Sequence, residues 1–488
     1  MIKQFIKDAG IYGITGILSK GIAIFLVPVY TKILTPNDYG IIDLVAVIYS
    51  IVAISVPLEI SQAVARFLAD DRDNPSYIKQ VSSIGLFITL IAFSIFFLVG
   101  FMFKEKLTLW IFEDGNLEKT FVIALLHMFF TGLFYFVQNQ LKWTLKPLKY
   151  SITSIVYIIV NFTFSILFVV ILKVGLIGVF YAYLIAGTTG FLLGFYFSNE
   201  NYSFSIHFPT TKKMLAFSLP LVPSGVSVFF INTGQRIMIK GLMELSDLGL
   251  FAVARKIASI LGIGFQSIQN SIIPLVYQNM DKSKTPKDMA TIFRFMVFFL
   301  LLFFVLISLF SKELLIVMTT PAYYNAYKII PLLVLAECFV GLQRTFSVGL
   351  SIAKKTKILA YINILGSIVS LIISFVFIYY FGIMGAAIAY LIQSIVITII
   401  QITFSQKFFF VQYPIKSSFF TMLFSIVIIT IGLFFIADLQ IVFQVLIKLL
   451  LLTFFILASI KYSHLINPNE IGLIFSKIKT GLRGKDDQ

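Results

Sequence analysis

A single cysteine and three histidines occur in 488 residues, so metal-binding and redox chemistry have almost nothing to build on. Cys338 lies alone within an apolar run, which excludes a disulfide framework and a thiolate metal cluster. His127, His207 and His464 are too scattered to suggest a metal site. Charge is scarce as well. Only 12% of residues are charged, against about 25% in soluble globular chains, and the soluble class is excluded. Neither a Walker A sequence nor a Gly-x-Gly-x-x-Gly turn occurs, so neither an intrinsic ATPase nor any cofactor is expected. Acids are the rarer sign: 22 Asp and Glu against 38 Lys and Arg give a net charge of +16. In a soluble chain that excess would suggest nucleic acid. In a membrane chain it follows from the Lys and Arg that cytoplasmic loops collect, and no nucleic-acid partner is expected.

What the chain does have is hydrocarbon. It is 59% hydrophobic, with 54 Phe and a mean hydropathy of +0.97. The useful unit of length is then the spanning helix of about 20 residues. Apolar runs bounded by charge, Pro or Asn predict spans near 11–31, 41–65, 80–102, 119–140, 150–172, 175–197, 214–235, 248–273, 290–310, 329–352, 358–380, 383–405, 417–437 and 441–460. The expected fold is an all-α integral membrane protein of about 14 transmembrane helices. The basic start MIKQFIK leads into an apolar run with no small-x-small site after it, and is read as the first span rather than a removed leader. With both termini placed in the cytoplasm, the inside segments hold 24 Lys and Arg and the outside loops hold 7, which sets the orientation of the chain.

Two segments recur at nearly one offset. VGLIGVFYAYLIA (174–186) matches FGIMGAAIAYLIQ (381–393), with Gly175 against Gly382 and Tyr183 against Tyr390. KILTPNDYGIIDLVAVI (32–48) matches KGLMELSDLGLFAVARKI (240–257), with Asp38 against Asp247 and Gly40 against Gly249. Six spans separate the copies, an even number, so both blocks enter the membrane from one side. The expectation is a parallel repeat of two six-helix lobes, 1–205 and 206–410, followed by two further helices (411–460) and a basic cytoplasmic tail (461–488). A substrate path between rocking lobes follows from that architecture.

PVYTKILTPNDYGIIDL (28–44), the proline-broken FSLPLVPSGVSVFFINTGQR (217–236) and GLSIAKKTKILAYINILGS (349–367) carry a family resemblance. The chain resembles the bacterial polysaccharide flippases of the multidrug/oligosaccharidyl-lipid/polysaccharide exporter superfamily, over residues 1 to about 405. That resemblance implies a membrane transporter, not an enzyme, with a cation-lined cavity. It would move a polyprenyl-diphosphate-linked oligosaccharide from the inner to the outer leaflet, for O-antigen, capsule or a similar surface polymer. Partners would be the lipid-linked oligosaccharide, membrane lipids, and polysaccharide polymerase or chain-length proteins of the same membrane. A peptidoglycan-precursor flippase shares much of the signature and stays open. A cation-coupled drug exporter of the superfamily is a weaker alternative, since its cavity would favour acids. A glycan polymerase or ligase would need a larger extramembrane site than these short loops supply.

An anionic diphosphate cannot cross hydrocarbon bare, so the protein must offer it a wet, cationic cleft. Arg suits phosphate by forked hydrogen bonds and Lys by point charge. A cation at bilayer depth costs at least ~2.5–3.5 kcal/mol, so each intramembrane charge needs a reason. Arg255 heads a stripe of Ser259, Gly262, Gln266 and Gln269 and is the leading ligand candidate. Lys256 heads a more apolar stripe, and both snorkelling and a cavity role are open for it. Lys20 stands near mid-span beside Gly13, Gly16 and Ala23 and is a cavity candidate. Glu337 and Arg344 share one stripe, each needing a partner on another helix or in the cavity. Glu59 shares a stripe with Ser55, Gln62 and Arg66, as a counter-charge or an ion-coupling site. Arg236 and Lys240 guide the head group or anchor their helix. Lys448, outside the repeat, is read as structural. Pro220, Pro223 and Gly225 predict a break in the seventh span, a hinge or a fixed kink.

Overall fold

The computed structural model describes residues 15–16, 18, 21–22, 24–71, 74–203, 207–278, 285–353, 355–435, 440–462 and 465. Among the described residues every regular element is a helix. Eleven of these helices are long and apolar enough to cross a membrane, so this is a multi-pass membrane protein. In lipid each backbone N–H and C=O must be paired within the protein, and a helix meets that demand by itself.

The helices that matter below are α1 (Pro36–Ser55), α2 (Ile60–Leu68), α3 (Pro75–Met102), α4 (Lys104–Phe112), α5 (Glu118–Trp143), α6 (Pro147–Ser165), α7 (Leu176–Ser198), α8 (Phe208–Ser218), α9 (Val222–Leu242) and α10 (Leu245–Gln278). They are followed by α11 (Thr285–Leu309), α12 (Ser311–Met318), α13 (Ile330–Ile352), α14 (Thr356–Phe408), α15 (Ile415–Thr430) and α16 (Ile441–Tyr462). The chain packs as two compact units. One comprises residues 1–256, 316–326 and 360–393; the other comprises 257–315, 327–359 and 394–488.

Helix α1 begins for local reasons. Thr35 caps it: the Asp38 amide donates to Thr35 Oγ1 at 3.2 Å, and the Thr35 amide donates to Asp38 Oδ2 at 3.0 Å. Pro36 at the first position loses no hydrogen bond, because that amide would be unpaired in any case. Thr35→Ala is expected to cost about 1 kcal/mol, read as a lower melting temperature of the purified protein.

The expected second span (41–65) is not one helix. It breaks at Val56–Glu59, where Pro57 offers no donor and Leu58 and Glu59 take φ of 54° and 53°. A left-handed leucine followed by a left-handed glutamate is costly backbone, held here by the packing around it. Glu59 therefore ends a break rather than sitting within a continuous stripe from Ser55 to Arg66. The expected break in the seventh span is present: α8 and α9 are joined by a short 3-10 turn, Leu219–Leu221. A Cβ on Gly225 would lie 2.8 Å from Ile54 and 3.0 Å from Glu59 Oε1, so the two breaks adjoin.

Two glycines matched between the recurring segments share one backbone conformation. Gly175 has φ 76°, ψ −148°, and Gly382, in the middle of α14, has φ 57°, ψ −138°. That conformation is open essentially to glycine. Gly382 divides α14 where the expected spans 358–380 and 383–405 meet. The second glycine of each Gly-x-x-Gly serves packing: Cβ atoms on Gly178 and Gly385 would press on Phe168 and on the carbonyl of Phe377.

The other matched pair is reciprocal. A Cβ on Gly40 would collide with the carbonyl of Leu245, and one on Gly249 with the carbonyl of Pro36. Leu245 and Pro36 are the first residues of α10 and α1. Each helix thus uses its glycine to admit the start of the other.

Within the first unit, α5 is the hub. Helix α7 lies along it because Gly187, Gly190 and Gly194 leave room for Thr131, Phe134 and Val137. Within the second unit, α11 packs on α13, α15 and α16. An almost wholly apolar cavity of about 380 Å³ opens there, walled by Phe293, Leu335, Phe346, Ile399 and Phe419. Lys448 Nζ lies 2.5 Å from Glu313 Oε1 in the same unit, tying α16 to α12.

Candidate substrate chamber

The first unit encloses a chamber of about 640 Å³. Each wall is one polar or aromatic stripe of an otherwise apolar helix. Helix α1 gives Tyr39, Asp43, Ala46 and Tyr49; α5 gives His127, Thr131, Tyr135 and Gln138; α6 gives Tyr150, Ser154, Tyr157 and Asn161. These residues recur at three and four, the spacing that places side chains on one helix face. Tyr30 and Tyr183 complete a set of seven tyrosines.

Most of the chamber is uncharged and hydrogen-bonded. Tyr30 Oη and Ser165 Oγ are 2.7 Å apart, and Gln138 Nε2 donates to Ser154 Oγ at 2.6 Å. His127 Nδ1 and Thr131 Oγ1 are 3.0 Å apart. The His127 ring lies 5.1 Å from that of Tyr183 and 5.8 Å from that of Tyr49, centroid to centroid.

Charge enters from one side. Arg236 of α9 and Lys256 of α10 line the chamber with Asp43 of α1. Arg236 Nη1 stands 3.4 Å from Asp43 Oδ1, while Asp43 Oδ2, Arg236 Nε and the Tyr49 hydroxyl are buried with no hydrogen-bond partner among the described residues. Two cations face one carboxylate, so this end is net positive and suited to an anion. Next to Arg236, Gln235 Nε2 donates to Gln393 Oε1 at 2.6 Å and Ser370 Oγ donates to the same oxygen at 2.7 Å. Gln393 Nε2 in turn donates to the Ile231 carbonyl at 2.9 Å. This buried network fixes α9 against α14 and so fixes the base of the Arg236 side chain.

The structure distributes the candidate charges as follows. Arg236 and Lys256 meet in the chamber. Arg255 lies beside it, with its guanidinium carbon 3.7 Å from the centroid of the Tyr390 ring, a cation–π contact. Side chains of Gln266 and Gln269, the far end of the Arg255 stripe, lie outside the described residues, as does Lys20. Lys240 pairs with Glu113 at the end of α4. Glu59 faces Gly225 at the helix breaks. In the second unit Glu337 Oε2 lies 3.2 Å from the position of a Cβ on Gly262, and Arg344 is exposed on α13. Among the described residues no three His, Cys, Asp or Glu side chains gather as metal ligands.

Asp43 and the tyrosine walls escape a search for lone intramembrane cations. The signal that finds them is the three-four stripe of Tyr, Ser, Thr, Gln and Asn on α1, α5 and α6.

Comparison with known proteins follows from this fold. Residues 5–280 match the polysaccharide biosynthesis protein family, and residues 223–377 match the MatE family. Over 290 residues the chain is 24% identical to the Lsg locus protein 1 of Haemophilus influenzae, covering 57% of this chain and 67% of that one. Among solved structures it is similar to the lipid II flippase MurJ in an inward closed conformation, with a TM-score of 0.70, 19% identity, and coverage of 93% of this chain and 99% of that one. It is also similar to an inward-facing multidrug resistance MATE transporter of the MOP superfamily, with a TM-score of 0.68, 14% identity, and coverage of 80% and 94%.

Proposed function

Because the chain belongs to the polysaccharide biosynthesis protein family, with the fold of MOP-superfamily flippases and transporters, we propose that it flips a polyprenyl-diphosphate-linked oligosaccharide. Movement runs from the inner to the outer leaflet of the bacterial cytoplasmic membrane, by alternating access, in the synthesis of a surface polysaccharide. Two six-helix lobes (1–205 and 206–410), the added helices (411–460) and cytoplasmic termini belong to this proposal.

One observation carries it: in a tyrosine-rich polar chamber the described charged residues are Arg236, Lys256 and Asp43, so two cations stand with one acid, and Arg236 and Asp43 are in contact. A lipid-linked saccharide likewise joins an uncharged polar portion, the sugar, to a charged one, the anionic diphosphate. Arg255, Lys20 and Arg344 are further candidates for the diphosphate, and Glu59 and Glu337 for counter-charge or ion coupling. The apolar cavity of the second unit has walls suited to a hydrocarbon tail. An exporter of organic cations would gain from acids, and the excess of cations at the chamber's charged end opposes that reading.

The MurJ likeness favours a second reading, a flippase for the peptidoglycan precursor, whose head is also a lipid diphosphate. Deleting the gene separates them. Loss of surface polysaccharide from viable cells is the expected result; lethality without suppressors would transfer the protein to the peptidoglycan role. In the complemented deletion strain, Arg236→Ala with Lys256→Ala is expected to reduce export at least tenfold at normal protein level. Unchanged export would remove the chamber from the substrate path.

A further inference from the structure

Among the described residues Asp43 is the one acid that lines the chamber. Its contact with Arg236 is a single 3.4 Å approach, and Oδ2 on one side and Nε on the other are buried without hydrogen-bond partners among the described residues. A guanidinium can present two parallel N–H groups to a carboxylate or phosphate, and Arg236 spends its fork poorly here. Arg236, Lys256 and Arg255 are all near enough to Asp43 to attract it.

The ion pair also links helices at a defined place. Asp43 follows Gly40 by three residues, less than one turn along α1. Lys256 follows Gly249 by seven residues, about two turns along α10. Asp43 and Lys256 therefore continue the faces on which α1 and α10 admit each other's first residues, while the ion pair itself joins Asp43 to Arg236 and ties α1 to α9. At the offset of 209 that matches Gly40 to Gly249, Asp43 corresponds to Ala252 and Lys256 to Val47. One copy of the helix carries the acid, the other the base, at non-equivalent positions of a reciprocal crossing. At the crossing each glycine lies against a backbone carbonyl of the other helix.

We propose that Asp43 is an internal stand-in for the substrate's anionic head: it holds Arg236, with Lys256, until a diphosphate competes for those cations, and the exchange releases α1 from α9 and α10. This rests on the reading that the substrate head is anionic. A ligand shifts a conformational equilibrium only by binding one state better than the other. Here the difference is built in, because a diphosphate that satisfies Arg236 and Lys256 leaves Asp43 repelled from the site and α1 without its ionic tie to α9.

The experiment uses the purified full chain with Cys338→Ala, which removes its only cysteine. Spin labels are placed at Asn37→Cys and Glu244→Cys, exposed positions one residue from Pro36 and Leu245, and the interlabel distance is read by pulsed electron resonance. The parent is expected to give a short distance. Asp43→Asn is expected to shift the population to longer distances without ligand, and Asp43→Glu to restore the short one. Inorganic pyrophosphate added to the parent is expected to produce the same lengthening, and Arg236→Gln to abolish that response. Since Asp43→Asn strands Arg236, the double variant Asp43→Asn/Arg236→Gln provides a charge-balanced control that is also expected to be long. If both the single and the double variant keep the parent's distance, the latch is overturned, while polysaccharide export by the gene continues to test the functional reading separately. If the variants lengthen but pyrophosphate leaves the parent unchanged, the competition is overturned, and with it the diphosphate assignment of this site.

Discussion

Valine at Gly40, or at Gly249, is expected to abolish accumulation of correctly folded protein. At both positions the first side-chain carbon would occupy the place of a backbone carbonyl, of Leu245 in one case and Pro36 in the other. A flexible side chain could turn aside; a helix start cannot. The only relief is to separate α1 from α10, which opens the end of the chamber that carries Asp43 and Lys256. Overpacking a core typically costs about 1–3 kcal/mol, and small-residue contacts between membrane helices depend on just this closeness. Alanine in place of valine is expected to have the same sign at lower amplitude. The double variant Gly40→Val/Gly249→Val is expected to be little worse than either single one, since one side chain already parts the helices and the second finds the space made. Size-exclusion profiles of a fluorescent fusion give the readout. Monodisperse Gly40→Val at the parent's level would show that the crossing is not required for the fold.

The helices themselves were legible because lipid makes hydropathy a nearly direct reading of span and loop. Residues matched between the recurring segments have physical reasons in the structure: Gly175 and Gly382 share a glycine-only backbone, and Gly40 and Gly249 face each other's helix starts. Three features were not legible. The break at Leu58–Glu59 has an apolar sequence on both sides, and Pro57 alone does not say that two left-handed residues follow it. The chamber is built from stripes on α1, α5 and α6 that are unremarkable singly and become a polar wall only when the helices are set side by side. The partner of Arg255 lies 135 residues along the chain, on α14: helical spacing reports what shares a face of α10, and Tyr390 does not. Tyr390 matches Tyr183, a chamber residue, in the recurring segments, but that match by itself does not indicate a contact with Arg255.

Lys448 gives the second large expectation. In the second unit its side chain is 3% exposed and its ammonium lies 2.5 Å from Glu313, whose side chain is 15% exposed, with Glu313 Oε2 buried and without a hydrogen-bond partner among the described residues. Two charges removed from water are tolerable as a pair; one is not. Lys448→Ala leaves Glu313 ionised in an apolar surrounding or forces it to take a proton, and Glu313→Ala strands the lysine in the same way. Breaking a buried pair by removing one partner costs about 3–5 kcal/mol. Either single variant is therefore expected to lower the melting temperature in detergent well beyond what Thr35→Ala does. The reverse expectation separates pairing from mere bulk. Glu313→Leu combined with Lys448→Met removes both charges and keeps similar volume, and replacing a buried pair by packed hydrophobic residues is often neutral or stabilising. That double variant is expected to melt at or above the parent and to export polysaccharide normally, because the pair holds α16 to α12 and lies outside the chamber. A double variant as unstable as the single ones would mean that the charges do more than hold two helices together.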